Sequence, residues 1–276
     1  MKIGRQEQRD SAISTSNAET ILVRGHDLVH DLVGSISFTE HFWLLVTGAL
    51  PSASQRLVLD ATLVAIAEHG LVPSVQAARM TLAAAPEALQ GAVAAGILGC
   101  GSVVLGSSEA AGRFLDEVRV RAEAGTAAAA PAGLEAAARQ VLAEYRQARR
   151  PIPGFGHPLH REGDPRALRL LRIAAEAGLA GRHVEIARLV ELLLPQVLGK
   201  PLAMNVSGAI PAVLLDAGYP LQALKGVPLL ARTAGLVAHL LEEQLRPIGF
   251  VMSHAASRAI GYDGGAPPDF RPSEDA

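Results

Sequence analysis

The sequence holds one cysteine, Cys100, in 276 residues. A single thiol excludes an internal disulfide and any metal site built from clustered cysteines. Aromatic residues are scarce too, 4% of a chain that is 49% hydrophobic. The core must therefore be built from Leu, Ala, Val and Ile, a composition that suits closely packed helices better than a sandwich. Neither sign of charge prevails, because 25 basic side chains face 27 acidic ones. That balance excludes a global basic field for nucleic acid, so any charge directed at a ligand is local. The longest apolar run, 91–106, falls short of the roughly twenty residues a membrane span needs. The opening "MKIGRQEQRDSAIS" has no apolar signal core. The expectation is a cytoplasmic protein with neither a membrane nor a nucleic-acid partner.

Helical periodicity is what the chain has in abundance. The spacing predicts helices over 55–69, 74–85, 88–99, 108–124, 133–150, 164–177, 183–198, 207–217 and 221–245. The breaks "HGLVP", "GTAAAAPAG", "GLAGRH", "GKP", "AGYP" and "RPIG" each carry Gly or Pro. Upstream, "ILVRGHDLVHDLV" reads as an extended or turn segment leading into a helix. "SISFTEHFWLLVTGALPS" follows as a helix with Ser37 or Thr39 as N-cap and a Gly48/Pro51 stop. With no sustained β alternation and no fixed-period repeat, the fold class is all-α. Small residues crowd "GAVAAGILGCGSVVLGSSEAAG". Glycine in a helix costs about 1 kcal/mol against Ala, so tolerating several predicts backbones in close approach, in the core or across a subunit interface.

One segment is unlike an ordinary linker: "RRPIPGFGHPLHREGDPR", at 149–166, packs four Arg, two His, four Pro and three Gly. Proline fixes φ and glycine opens conformations other residues avoid, so the turn is rigid, with an exposed backbone and positive charge. It is no phosphate fingerprint, since "GFGHPL" follows no strand and lacks a third glycine. HExxH and GxSxG are absent, and no nucleophile elbow surrounds Ser107 and Ser108. The His157/His160 pair has metal-like spacing but no supporting carboxylate or cysteine pattern, so no metal site is assigned.

Four further positions sit at helix ends or breaks or in apolar surroundings. His69 lies in "AIAEHGLVPS", His157 in the turn, Arg166 in "GDPRALRLL" and Arg232 in "LLARTAGLVAHLLEE". Singly, the first three read as a helix C-cap, a loop His and a surface Arg. Arg232 does not, because its neighbours would bury the cation unless it meets an anion. Together the four suit a small polycarboxylate, since Arg offers permanent bidentate clamps and imidazoles exchange protons near neutral pH.

These residues carry a family resemblance. "PGFGHPLHREGDPRA" resembles the "PGFGH…DPR" signature of the citrate synthase family, and "LVRGHDLVHDLVGSISFTEHFWLLVTGALPS" its N-terminal segment. "AIAEHG" falls at its substrate-binding "ADHG" or "DHE" position. "NVSGAIPAVLLDAGYP" and "ARTAGLVAHLLEE" are similar to its "NVD…GI" and "ARTVGWIAH" segments. In compactness the chain resembles the citryl-CoA lyase-type module, as at the citrate-cleaving end of ATP-citrate lyase.

The resemblance implies an all-α homodimer with a large domain and a smaller mobile one. It places a polar N-terminal segment at 1–19, the large domain at 20–150 and 218–260, a small domain at 151–217, and a Pro/Gly-rich tail at 261–276. It implies an acyl-CoA and a di- or tricarboxylate such as citrate or oxaloacetate as reactants, with no permanently bound cofactor. His69, Arg166, Arg232 and Asn205 fall at substrate-binding positions, and His157 at the His that polarises the reacting oxygen. Pro153, Gly154, Phe155 and Gly156 match the loop that cradles the CoA end, and Arg149, Arg150, Arg161 and Arg246 are its phosphate-side cations.

The chain departs from the family at three positions. The family "NVD" Asp, which takes or returns the thioester α-proton, reads Ser207 here. The His of the synthase "LHGGA" motif falls near Val104, and the Arg that often follows the turn His is Pro158. A serine hydroxyl is too weak a base for a thioester α-proton, and a lost acid–base group costs about 10²–10⁴-fold. A bound water, His160, Glu109 or a substrate group would have to stand in. The readings are a citryl-CoA lyase-like enzyme, a synthase-like condensing enzyme, or a non-catalytic polycarboxylate- or CoA-binding homologue. Ser207 also reads as an N-cap for the helix it opens.

Overall fold

The structure, a computed structural model, describes residues 9–101, 105–124, 131–156 and 163–270. The class is all-α, as the periodicity predicts. In chain order the helices are α1 Phe38–Thr47, α2 Ala53–Ala67, α3 Pro73–Ala84, α4 Leu89–Leu98, α5 Ser107–Ala124 and α6 Pro131–Gln147. They continue with α7 Pro165–Glu176, α8 Arg182–Leu198, α9 Val206–Asp216, α10 Gly226–Leu245 and α11 Gly249–Ala259. Local chemistry sets many of their ends. Ser37 caps α1 in a capping box with Glu40, and Gly48 ends it at φ +83°. Thr39, the other expected cap, is buried instead and donates to Asp60.

Two elements differ from the sequence reading. Strands β1 Ser14–Ser16, β2 Ile21–Val23 and β3 His26–Asp27 form an antiparallel ribbon. Arg24 and Gly25 join β2 to β3, both at positive φ (50° and 86°), as a tight hairpin turn requires. β1 is exposed throughout, so backbone pairing holds it and no side-chain alternation announces it. The other difference is α11. Its first amides, from Ile248 and Gly249, are accepted by the Glu243 carboxylate of α10, a cap supplied from a distance.

The chain groups into two compact units, one of residues 1–62 and 111–224, the other of 63–110 and 225–276. In the first, α7 and α8 pack on α9, and α6 packs on α8. Asp216, the last residue of α9, accepts the amides of Gly181, His183 and Val184 at 2.7, 2.9 and 3.0 Å and faces His183 Nδ1 at 2.9 Å. It thereby caps α8 from another helix. Burial pushes its carboxyl up, but the His183 bond and the amides outweigh that and hold it below its ordinary 3.8. A depressed carboxylate stabilises the fold above its unfolded pKa, and the contribution is lost as pH falls through the folded value. Asp216→Asn is therefore expected to cost about 2 kcal/mol at neutral pH and to flatten the acid limb below 3.8. Urea denaturation at neutral and acid pH checks this; equal losses at both would contradict it.

In the second unit α3, α4, α10 and α11 enclose Val75, Ala78, Leu82, Ala92, Leu236 and Leu240. Here the small-residue stretch has its packing role. A Cβ on Gly96 would lie 2.7 Å from Leu236 and 2.9 Å from the Ser74 carbonyl. Among the described residues one helix, Leu221–Leu245, is long and apolar enough by length and composition to cross a membrane. Its buried face packs on α3 and α4, which is how a core helix passes the same test.

Candidate functional site

The residues singled out by the sequence fall in both units. The first unit holds 149–156, Arg166, Asn205 and Ser207; the second holds His69, Arg232 and Arg246. His157, Arg161, His160 and Val104 lie outside the described residues.

In the first unit, two motifs far apart in sequence are fastened together. Asn205 donates from its backbone to Gly154 O at 3.0 Å and from Nδ2 to Gly156 O at 2.6 Å. Gly156 N returns a bond to Ala203 O at 2.7 Å. The glycines are required by proximity: a Cβ on Gly154, at φ +88°, would lie 2.6 Å from Gly208 Cα, and one on Gly208 would lie 2.5 Å from Gly154 O. Phe155 turns inward, 8% exposed, and its ring centroid lies 6.5 Å from that of Phe114. The proline–glycine turn is thus a rigid seam against the start of α9.

Asn205 is the N-cap of α9, with its side chain accepting from Ser207 N at 2.9 Å. This corrects the capping role open to Ser207, because Asn205 already has extended backbone and the matching acceptor. Ser207 stands in the first turn, half-buried. Asp164, which the sequence reading passed over, governs the same region. It caps α7, receives Arg166 Nε and Nη2 at 3.0 and 2.9 Å, and accepts Val206 N at 2.9 Å. Burial raises its carboxyl, yet Arg166 and the two amides hold it below the ordinary range. Glu191 adds a tie, accepting Met204 N at 2.6 Å. The signal for Asp164 was the Asp-Pro pair that opens α7. Glu191 had none, because its partner is backbone.

Two of the cations of this unit have partners of their own. Arg150 lies 4.0 Å from the centroid of the Tyr145 ring and donates to its hydroxyl at 3.1 Å. Arg149 is exposed, with φ of +52°. Arg166 has two nitrogens on Asp164 and is a quarter exposed.

In the second unit Arg232 is 4% exposed, and its Nε and Nη1 have no hydrogen-bond partner among the described residues. An unpaired buried guanidinium is costly unless an anion comes to it. Ser74 and Cys100 are buried neighbours, and burial pushes the Cys100 thiol up. His69 is exposed just past α2, between Glu68 and Gly70. Arg246 ends α10, its carbonyl accepting Arg79 Nη2 at 3.2 Å. Arg79 itself is a buried cation that the sequence reading missed. It is 2% exposed and paired with Glu243 and Glu242 at 2.6 and 2.7 Å. Its apolar flanks in "VQAARMTLAA" are the same signal that marked Arg232. No cluster of metal-binding side chains occurs among the described residues.

A helical fold, a proline–glycine turn sealed to an Asn-capped helix and a buried Arg with open donors define a recognisable class. The sequence profile "Citrate synthase, C-terminal domain" matches residues 54–248, and the chain belongs to the citrate synthase family. Within it, the chain is similar to the citryl-CoA lyase of Hydrogenobacter thermophilus. The two are 31% identical with a TM-score of 0.82, covering 95% of this chain and 97% of that one. The ATP citrate lyase of Methanothrix soehngenii, solved with citrate and coenzyme A, shares the fold. It has a TM-score of 0.77 and 21% identity, over 98% of this chain and 44% of that one. The citrate/2-methylcitrate synthase of Bacillus subtilis is 27% identical over 76% of this chain. This chain spans only 53% of that synthase's length, about half.

Proposed function

We propose that the chain is a citryl-CoA lyase-type enzyme that cleaves a carbon–carbon bond in the CoA thioester of a polycarboxylate, giving acetyl-CoA and oxaloacetate or analogues. In that reaction the hydroxyl proton of citryl-CoA leaves as the hydroxyl becomes a ketone. The electrons of the breaking bond pass to the thioester as an enolate, which a proton then converts to the methyl group. His69 and Arg232 take substrate carboxylates, Arg166 adds a further cation, and Asn205 lines the substrate side. His157 polarises the reacting oxygen. Gly154, Gly156 and their neighbours face the CoA end.

The observation that carries this reading is the Arg232 guanidinium, buried with two open donor nitrogens. A carboxylate is the planar anion that fits such a fork. The test follows from the cost of leaving the cation unpaired. Arg232→Met is expected to weaken citrate binding about thirtyfold, the lower end for removing one partner of a buried charge pair. The same change should leave the ligand-free protein as stable as before or more so, since an apolar side chain replaces an uncompensated charge. Calorimetric titration and thermal unfolding read the two effects, and unchanged citrate affinity would overturn the assignment.

Ser207 favours a second reading, a homologue that binds polycarboxylate or CoA without turning it over. Asp164 does not replace the family carboxylate at this point, because its bonds hold it ionised and weakly basic. The loss of an acid–base group slows cleavage and condensation by the same factor, because both directions share the proton-transfer step. Deuterium exchange into the methyl of acetyl-CoA, with oxaloacetate present, separates the readings. Exchange supports the enzyme; citrate binding with neither exchange nor cleavage supports the binding homologue.

A further inference from the structure

The second unit contains a chain of polar side chains that ends beside His69. Glu68 follows the last residue of α2, and its carboxylate turns back on the turn it begins. It accepts the amides of His69 and Gly70, the latter through Oε1. The other oxygen, Oε2, lies 2.9 Å from His239 Nε2 on α10. The contact is close, although its angle is not that of a well-formed hydrogen bond. Burial raises the Glu68 carboxyl, but His239 and the two amides outweigh it and hold it below its ordinary 4.5.

The far side of the His239 ring meets a cation. Nδ1 lies 3.5 Å from Arg79 Nη1. A guanidinium has only donors, so any hydrogen bond here runs from Arg79 to Nδ1. Nε2 is the ring nitrogen that faces Glu68. Arg79 cannot drift from this position, because Glu242 and Glu243 hold it at 2.7 and 2.6 Å.

The helix backbone gives a second, independent sign that this contact is built in. Gly235 precedes His239 by one turn and shares its face. A Cβ on Gly235 would lie 2.1 Å from Ala67 O and 3.4 Å from Glu68 Oε2. α10 is thus pressed directly against the C-terminal end of α2, and only glycine permits the approach. Glu68 is 55% exposed, so its pairing with His239 adds little to stability. A contact this specific with so little stabilising value points to geometry rather than strength.

We propose that His239 is a positioning residue for His69: through Glu68 it fixes the turn at 68–70 and so the direction in which the His69 imidazole meets the substrate. The proposal rests on the reading that His69 touches the polycarboxylate. It is tested with citrate as the ligand, on the full chain, in a double-mutant cycle. His69→Ala should weaken citrate binding, and His239→Ala should weaken it about tenfold, in the range of a coupled neighbour. The double variant should bind no worse than His69→Ala alone, because His239 has nothing left to position. His239→Gln should recover most of the loss, since its amide offers a donor to Glu68 and an acceptor to Arg79.

The outcomes separate the two ideas. Unchanged affinity in His69→Ala removes the underlying reading and the proposal with it. A loss in His69→Ala with wild-type affinity in His239→Ala overturns the proposal alone. So do losses that multiply in the double variant, or a His239→Gln variant no better than His239→Ala. If His239→Ala does not fold, Glu68→Gln at the exposed end of the chain takes its place in the same cycle.

Discussion

Ser207→Asp is expected to raise citryl-CoA cleavage about a hundredfold, the lower end of what a positioned acid–base group contributes. The backbone is ready for the change. Position 207 lies in the first turn of α9, and Asn205 already supplies the cap. A carboxylate near a helix N-terminus gains about 0.3–1 kcal/mol from the helix dipole. The variant should therefore fold at least as well as the parent. The effect should appear as faster oxaloacetate release from citryl-CoA and, by the same factor, as faster deuterium exchange into the acetyl-CoA methyl. The gain depends on the remaining groups, chiefly the seam of Gly154, Gly156 and Asn205 and the open guanidinium of Arg232. A variant that folds, binds citrate and stays inert would show that Ser207 is not the limiting defect.

The second large effect is on stability. Arg79→Ala is expected to destabilise the protein by about 3–5 kcal/mol, the usual cost of removing one partner of a buried ion pair. Arg79 and Glu243 are 2% and 3% exposed, and Arg79 also bonds Glu242 and the Arg246 carbonyl. Its removal strands the Glu243 carboxylate with only the amides of Ile248 and Gly249. In the parent, burial pushes the Glu243 carboxyl up and Arg79 with the two amides brings it below its ordinary 4.5. Without Arg79 its lowering is lost, so burial is opposed by the two amides alone and the carboxyl rises from its value in the parent. The penalty should then be greatest at neutral pH and shrink in acid as Glu243 takes a proton. A Glu243→Gln change placed on top of Arg79→Ala should recover part of the loss at neutral pH, because it removes the stranded charge. Denaturant unfolding measures all three proteins. A loss under about 1 kcal/mol in Arg79→Ala would mean that the pair is not the clasp it resembles.

What the sequence made legible follows from how far each signal reaches along the chain. α1 and α7 carry their caps within a few residues, so Ser37 and the Asp164–Pro165 pair mark their starts directly. At α9 both Asn205 and Ser207 offer a cap, and only the folded backbone assigns it to Asn205. α11 is capped by Glu243 from the preceding helix, and β1 is held by backbone pairing, so neither left a local mark. The same distinction runs through the candidate site. The 149–166 turn and Arg232 stood out by composition and by apolar flanks. Glu68, Glu191 and His239 act through side chains or backbone brought near by folding, and nothing beside them in sequence says so. Arg79 had the apolar flanks that singled out Arg232, and that criterion applied evenly along the chain would have found it.

The order in which the two units alternate along the chain has a consequence for synthesis. Residues 63–110 belong with 225–276, and the stretch between them belongs with the first 62 residues. On the ribosome, α3 and α4 emerge long before α10, and Arg79 is made some time before its partner Glu243. Domains fold as units once their parts are available, so the first unit can close while the second still waits as an exposed helical pair. Arg79, destined for burial, stays hydrated until then, because its partner Glu243 arrives in the same late helix as Arg232. α10 therefore acts as the closing piece of the second unit, and a nascent chain halted before it would carry a finished first unit beside an open, apolar half.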